Sequence, residues 1–445
     1  MFEVEVGGDS MLGNMVFLLF ISIEIGMIVV SILKKSNVKR GKSILSIVLF
    51  SIFLLLVISP IIDWGLNWMM LGILLGVQAL LGLVTLLRHI GNKPLKKSKM
   101  ILGFLGRVIL YALAIFPLLL FPPYEPIKTT GENSVSTKSF TWTDQSRKEL
   151  FTEEADDNRK VTVQFWYPSK QADKKFPLVV FSHGAFGLRT SNYSTYQELA
   201  SNGYVVASID HTFHAFLTEQ VDGKRVITNM DFMNDAIKAT NGEIQGKELF
   251  VMEQAWMKLR TEDMTFVIDK IKKMTGSETE NIFQLIDLER IGVMGHSLGG
   301  ATAAKIGRID ETVDAVIVLD GTMLGEVIGF MNGKELLTDE PYPKPILNFY
   351  NESHYEDETK GNPDYPNNAV HKNSNHSYQV IIRNSEHMNF TDLPIVSPIL
   401  SNLLGTGAVD ARECIETTNE VILQFFDRYL KDNPIEFEKE RVLKL

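Results

Sequence analysis

Apolar and polar residues are organised on two scales along the chain. Up to about position 121 the sequence contains four long, nearly uninterrupted apolar stretches, Met11–Leu33, Ser43–Ile62, Leu66–Leu87 and Met100–Phe121. Each is close to the ~20 residues a helix needs to cross a bilayer. A cleaved signal peptide would account for one of them, so four predict a permanent, all-α, four-span anchor. After Phe121-Pro122-Pro123-Tyr124-Glu125-Pro126 the scale shortens. Val161–Tyr167 alternates as a half-buried strand does, and Leu178–Phe181 and Tyr204–Ile209 read as short buried strands. Further strands are predicted at Ile291–Met294, Ala315–Leu319, Ile346–Tyr350 and Tyr378–Ile382. Leu249–Met274 has helical periodicity with Val251, Met252, Ala255, Trp256 and Leu259 on one face, and a last helix is expected over Arg412–Leu430. Strands interleaved with helices predict an α/β fold with a doubly wound, mostly parallel sheet. The expected division is a transmembrane region over residues 1–124 and a globular domain over residues 125–445.

Composition and charge sharpen this division. Mean hydropathy is +0.03 over 445 residues, and the apolar excess lies in the first quarter of the chain. Residues 1–124 carry 11 Lys+Arg against 5 Asp+Glu, whereas the remainder carries 33 against 49. An acidic globular part fits nucleic acid poorly. Lys34, Lys35, Lys39, Arg40 and Lys42 follow the first stretch, and Arg88, Lys93, Lys96, Lys97 and Lys99 follow the third. No basic residue precedes the first stretch or joins the second to the third, where Asp63 lies beside Trp64 and Trp68. The positive-inside rule then predicts cytoplasmic basic loops, an outer aromatic belt at the two tryptophans, and an extracytoplasmic C-terminal domain. Glu24, in mid-span, calls for protonation or a partner within the bundle, while Arg107 can snorkel. The single cysteine, Cys414, excludes an intrachain disulfide and suits a bacterial surface better than a eukaryotic secretory route.

The chemistry is concentrated at Gly295-His296-Ser297-Leu298-Gly299-Gly300. This G-x-S-x-G follows a β-branched strand and opens a helix of small residues, the context of a nucleophile elbow. An elbow serine needs an acid and a base, in the chain order Ser, acid, His. Asp320, at the end of the strand Ala315–Leu319, is the candidate acid, and His387, in the loop after Tyr378–Ile382, the candidate base. The loop Ser182-His183-Gly184-Ala185 after an earlier strand is placed to supply an oxyanion donor. Ala185 and Leu298 are therefore the expected backbone N–H pair, with His183 organising the loop. Asp210 ends a strand but precedes the serine, so it is expected to cap its loop. Glu386 and Asp392 read as surface charges. His354, His371 and His376, with Glu356, Asp357 and Glu358, have the spacing of no metal motif and read as a solvated loop. A serine nucleophile with a backbone oxyanion hole requires neither metal nor cofactor.

These motifs resemble the lipoprotein-associated platelet-activating-factor acetylhydrolase family and its bacterial esterase relatives, α/β-hydrolases. The resemblance rests on Phe181-Ser182-His183-Gly184-Ala185, Gly295–Gly300, Leu319-Asp320-Gly321 and Ser385–Phe390, with Asp144-x-Ser146-Arg147 and Phe165-Trp166-Tyr167-Pro168 upstream. It covers roughly residues 125–432 and leaves the membrane stretches outside the family core. It implies Ser297 as nucleophile, Asp320 as acid, His387 as base, Ala185 and Leu298 as oxyanion donors, and calcium-independent cleavage of short or oxidised acyl esters. The expected protein is thus a membrane-anchored serine ester hydrolase whose partners are a lipid or small-molecule ester and the bilayer. Non-lipid esters, or acyl hydrolysis or transfer on cell-envelope groups, fit the same residues. A non-enzymatic membrane sensor with a degenerate hydrolase domain is opposed by the intact Ser, Asp and His.

Overall fold

The computed structural model describes residues 9–445 except 35, 60, 63, 91–92, 95–96, 155, 170–174 and 276–279; Asp63, Lys35 and Lys96 lie outside the described residues. The chain forms two compact units, Met1–Glu125 with Ile395–Leu403, and Pro126–Pro394 with Leu404–Leu445.

The first unit is built on α1 (Asp9–Leu33), α2 (Lys39–Ile58), α3 (Leu66–Leu87) and α4 (Lys97–Leu120). Among the described residues Lys39–Ile58, Asn67–Leu87 and Ile101–Leu120 are long and apolar enough to cross a membrane, and Leu18–Leu33 is a shorter apolar helix. Helix α2 stops at Ile58, four residues before the expected end, because Pro60 in the sequence cannot continue the backbone ladder. Phe20 stacks on Tyr111 at 4.9 Å, and the Tyr111 hydroxyl donates to Gln78 Oε1 at 3.1 Å. Glu24 is paired with Arg107 at 2.7 Å, so Arg107 reaches into the bundle instead of snorkelling. Trp64 is exposed as a belt residue would be. Trp68 is instead buried against Phe53, Leu71 and Leu75, because its ring fills the space between α2 and α3.

The second unit carries a nine-stranded sheet. Its strands are β1 (Val135–Lys148), β2 (Asn158–Pro168), β3 (Phe176–Ser182), β4 (Val205–Asp210), β5 (Ile286–His296), β6 (Ala315–Leu319), β7 (Ile346–Asn351), β8 (Ser377–Ile382) and β9 (Glu440–Leu443). Their spatial order is β9-β8-β7-β6-β5-β3-β4-β2-β1. Pairings among β3 to β9 are parallel, and the two antiparallel pairings, β4–β2 and β2–β1, lie at one edge. The central strands are buried on both faces, as parallel strands covered by helices must be. Helices α5 (Tyr193–Ser201), α6 (Gly246–Thr275), α7 (Leu298–Ile309) and α8 (Ala411–Leu430) cover the sheet. Two apolar layers result: one includes Val163, Leu178, Met264, Val293 and Val316, the other Val179, Tyr196, Ile317, Phe349 and Phe425.

Helix α6 departs from the expected face. Val251 and Ala255 are exposed, and the buried stripe runs through Leu259, Arg260, Asp263, Met264, Val267, Ile268 and Ile271. The stripe contains two charged residues, Asp263 held by ion pairs to Arg147 and Arg159 and Arg260 held by the His183 and Gly184 carbonyls, so hydrophobicity alone points the helix the wrong way.

Candidate active site

Parallel register fixes the level at which the site assembles. Leu319 of β6 pairs with His296 of β5 and with Phe349 of β7, so Ser297 and Asp320 leave adjacent strands side by side at the carboxyl edge. Ligands of open α/β sheets bind at that edge. Ser297 is the single residue between β5 and α7, with φ 54° and ψ −125°. A non-glycine residue rarely holds such a backbone, and here neighbouring contacts impose it. A Cβ at Gly295 would lie 2.2 Å from the Gly299 oxygen, and one at Gly299 would lie 2.0 Å from the Ser182 oxygen. Only glycine permits that approach of strand, turn and helix. The Ser297 amide donates to the Leu319 carbonyl at 2.9 Å, fastening the turn to β6.

Asp320 also has a positive φ, 52°, and is buried. His387 Nδ1 donates to its Oδ2 at 2.6 Å. A second imidazole, His354, donates from Nδ1 to Oδ1 at 2.8 Å. Asn351 completes the cage through its backbone amide on Oδ1 at 2.9 Å and its side-chain amide on Oδ2 at 2.6 Å. Burial alone would raise the carboxyl, but the hydrogen bonds from His354 and His387 outweigh it and hold Asp320 well below the ordinary carboxylate value. Asp320 is therefore anionic throughout the physiological range. The His387 side chain is 40% exposed and accessible to a ligand. Its backbone carbonyl accepts from His296 Nε2 at 3.1 Å, and the two rings lie 4.5 Å apart. Burial first, then the neighbouring His387, lowers His296 to about 3, so it acts as a neutral donor that ties the His387 loop to the residue before Ser297.

The loop after β3 lies over the serine. A Cβ on Gly184 would lie 3.2 Å from Ser297 Cβ. The Gly184 carbonyl accepts from Arg260 Nη2 at 3.1 Å, from His183 Nδ1 at 2.6 Å and from the Gly187 amide at 3.1 Å, while Arg260 Nη1 holds the His183 carbonyl at 2.5 Å. A trans peptide points its carbonyl and N–H in opposite directions, so the Ala185 N–H faces away from Arg260. Leu298 is the first residue of α7, where the amide has no intrahelical acceptor and the helix dipole favours an anion. Among the described residues neither the Ala185 nor the Leu298 amide donates to another group of the protein.

Arg260 belongs to a buried network that composition could not reveal. Asp263 takes Arg159 Nη2 at 2.7 Å, Arg147 Nη2 at 2.9 Å and His211 Nδ1 at 3.1 Å. Arg147 also holds Asp144 at 2.6 Å, so the upstream Asp144-x-Ser146-Arg147 motif anchors β1 to α6. His211 Nε2 meets Ser182 Oγ at 2.8 Å, which makes Ser182, His211 and Asp263 a second Ser–His–Asp arrangement. All three are fully buried, and burial lowers His211 to about 4, so His211 stays neutral and the arrangement is a structural brace closed to substrate.

Several other candidates fall elsewhere. Asp210 has a structural role, but it accepts the Arg189 amide and guanidinium from the segment after β3 instead of capping the loop that follows it. Asp392 is not a surface charge: it is buried and accepts the Ser194 amide at 2.7 Å and hydroxyl at 2.5 Å, which joins the His387 loop to α5. Glu386 is half-buried and accepts from Ser353 at 2.9 Å. The solvated-loop expectation fails for His354 and for His371, which is half-buried and bonded to Asn348 and Tyr350, each at 3.1 Å. Both rings find polar partners on β6 and β7 that a linear pattern does not display. Only His376 is exposed.

A family model described as platelet-activating factor acetylhydrolase, isoform II, matches residues 147–441. The curated platelet-activating factor acetylhydrolase of Bos taurus is 25% identical over 290 residues, covering 60% of each chain. That of Gallus gallus is 24% identical over 283 residues, covering 58% of this chain and 63% of the relative. The match therefore spans about 60% of the length of these relatives. A solved ferulic acid esterase from Streptomyces cinnamoneus aligns with a TM-score of 0.53 and 25% identity, over 70% of this chain and 95% of that one. Through residues 147–441 the chain belongs to the platelet-activating factor acetylhydrolase, isoform II, family.

Proposed function

We propose that the protein is a membrane-anchored serine hydrolase of carboxylic esters, acting through an acyl-enzyme on Ser297. The observation that carries this reading is the 2.6 Å bond from His387 Nδ1 to Asp320, beside a strained serine on the neighbouring strand. With Nδ1 donating to an anionic Asp320, the neutral His387 ring keeps its lone pair on Nε2, available to take the Ser297 proton. The alkoxide attacks the ester carbonyl, and the oxyanion forms between the Ala185 and Leu298 amides. His387 then protonates the leaving alcohol, and water, deprotonated by the same ring, releases the acid. Asp320 stays ionised and stabilises the imidazolium.

Family membership supports esters of short or oxidised acyl groups on a lipid. The ferulic acid esterase likeness, which covers nearly the whole of that enzyme, supports a second reading in which the alcohol or acid is a small aromatic group. The basic residues Lys34–Lys42 and Arg88–Lys99 support an anchor with its connecting loops in the cytoplasm and the hydrolase outside, and the single cysteine supports a bacterial cell membrane. A fluorophosphonate probe should label wild type but not Ser297→Ala. Unlabelled wild type should be assayed in parallel on phosphatidylcholine analogues of increasing sn-2 chain length and on methyl ferulate. No Ser297-dependent labelling or turnover would reject the hydrolase reading, and a preference for methyl ferulate over every lipid would select the second.

A further inference from the structure

The acid of this site is unusual in carrying two imidazoles. Asp320 accepts four donors, and its two carboxylate oxygens are divided evenly: His354 and the Asn351 amide on Oδ1, His387 and the Asn351 side chain on Oδ2. Among the described residues no lysine or arginine pairs with it. The countercharge of a fully buried carboxylate is thus left to two rings that can themselves titrate.

The far side of His354 fixes its tautomer. A carboxylate only accepts, so Nδ1 carries the proton on that side. Nε2 lies 2.6 Å from the Tyr365 hydroxyl, which lies 2.6 Å from Thr322 Oγ1. With neutral His354 every hydroxyl donates forward, from Thr322 to Tyr365 to Nε2, and the chain ends on Asp320. The His354 side chain is 11% exposed and therefore closed to substrate, in contrast to the exposed His387 ring. The titratable groups that face it are Asp320, Tyr365 and the Tyr350 ring, edge-on at 5.1 Å. Glu386 lies beyond Ser353, and Glu358 acts on Tyr365 from the same segment.

We infer that His354 is a positioning residue for ester hydrolysis: it holds Asp320 in register and, by sharing its negative charge, sets how strongly His387 retains a proton. The inference rests on the hydrolase reading above. Removing the donor leaves Oδ1 with the Asn351 amide alone, so the carboxylate presents more charge to His387. The imidazolium gains stability, and the base stays protonated to higher pH. A charged His354 has the opposite effect, since two cations then compete for one carboxylate.

The test is the pH dependence of kcat/KM for p-nitrophenyl acetate in the full-length, detergent-solubilised enzyme, whose acidic limb reports the base of the free enzyme. In His354→Leu the acidic limb should move up by about one pH unit, the scale of one hydrogen bond to an anion. His354→Asn, whose amide can donate near the Nδ1 position, should keep the limb at the wild-type place. The position of a limb does not depend on the active fraction, so partial misfolding of either variant does not obscure the result. An unmoved or lowered limb in His354→Leu, or equal shifts in both variants, would overturn the inference. Absence of Ser297-dependent turnover in wild type would instead reject the hydrolase reading on which it stands.

Discussion

Asp320→Asn tests the site most directly, because the replacement keeps shape and removes one acceptor. The four donors around Asp320 meet two oxygens, and an amide offers one oxygen and an NH2 group. If the NH2 takes the Oδ2 position, it confronts His387 Nδ1 and the Asn351 side chain. Asn351 can rotate its amide to offer an oxygen, but His387 can accept only by moving its proton to Nε2. That tautomer presents a proton to Ser297 where a lone pair is needed. The opposite rotamer orphans His354 and the Asn351 backbone amide, at about 1–3 kcal/mol for each buried unpaired donor. Serine proteases lose about 10⁴ in turnover from the same wrong-tautomer defect, equivalent to ~5.5 kcal/mol of barrier. Turnover of p-nitrophenyl acetate should fall on that order while a cooperative thermal transition shows the fold intact. Activity within tenfold of wild type, with Ser297→Ala inactive, would refute Asp320 as the orienting acid. Asp210 could not replace it, since Arg189 already occupies both of its oxygens.

Other outcomes follow from the surroundings of the site. Arg260→Met releases the His183 and Gly184 carbonyls and should lower kcat by roughly 10²–10³, the effect of losing an oxyanion donor, with little change in KM; unchanged kcat would show that the loop needs no clamp. Burial, opposed by the two Ser194 donors, raises the Asp392 carboxyl to about 6. A raised folded value contributes stability that is complete below the unfolded value near 4 and is lost as pH rises through about 6, so wild type should lose roughly 2 kcal/mol more than Asp392→Asn between pH 4 and pH 7. Parallel slopes in pH-dependent unfolding would contradict this. Protease added to intact cells should remove the hydrolase unit if the basic loops are cytoplasmic; protection until permeabilisation would reverse the orientation.

What could be read from the sequence had a local cause. The buried strands are runs of β-branched and aromatic residues, and their ends fell within a few residues of expectation because a parallel strand is apolar along its whole length. The elbow was visible because its geometry demands glycine at 295 and 299, two positions where a Cβ would strike backbone oxygens. The edge strand β1 was missed, since Val135–Lys148 mixes exposed and half-buried positions and carries no apolar run. Strand β9, four largely exposed residues near the C-terminus, escaped for the same reason.

The polar supports were illegible for a different reason: each joins residues far apart in the chain. Arg260 meets Gly184 across 76 positions and Arg159 meets Asp263 across 104, so no window of sequence contains both partners. A buried arginine or histidine in isolation looks like a surface residue, because its burial is permitted only by the partner that compensates it. His354 shows the consequence most clearly. Surrounded in sequence by Glu352, Glu356, Asp357 and Glu358, it has the composition of a solvated loop, yet the turn after β7 brings its ring to the carboxylate at the end of β6. The register of three parallel strands sets that meeting, and register emerges only when the sheet assembles. Motif reading therefore reaches the groups proposed to touch the substrate, which lie in short glycine-defined turns. The groups that tune them lie one strand further on and become visible only in the folded chain.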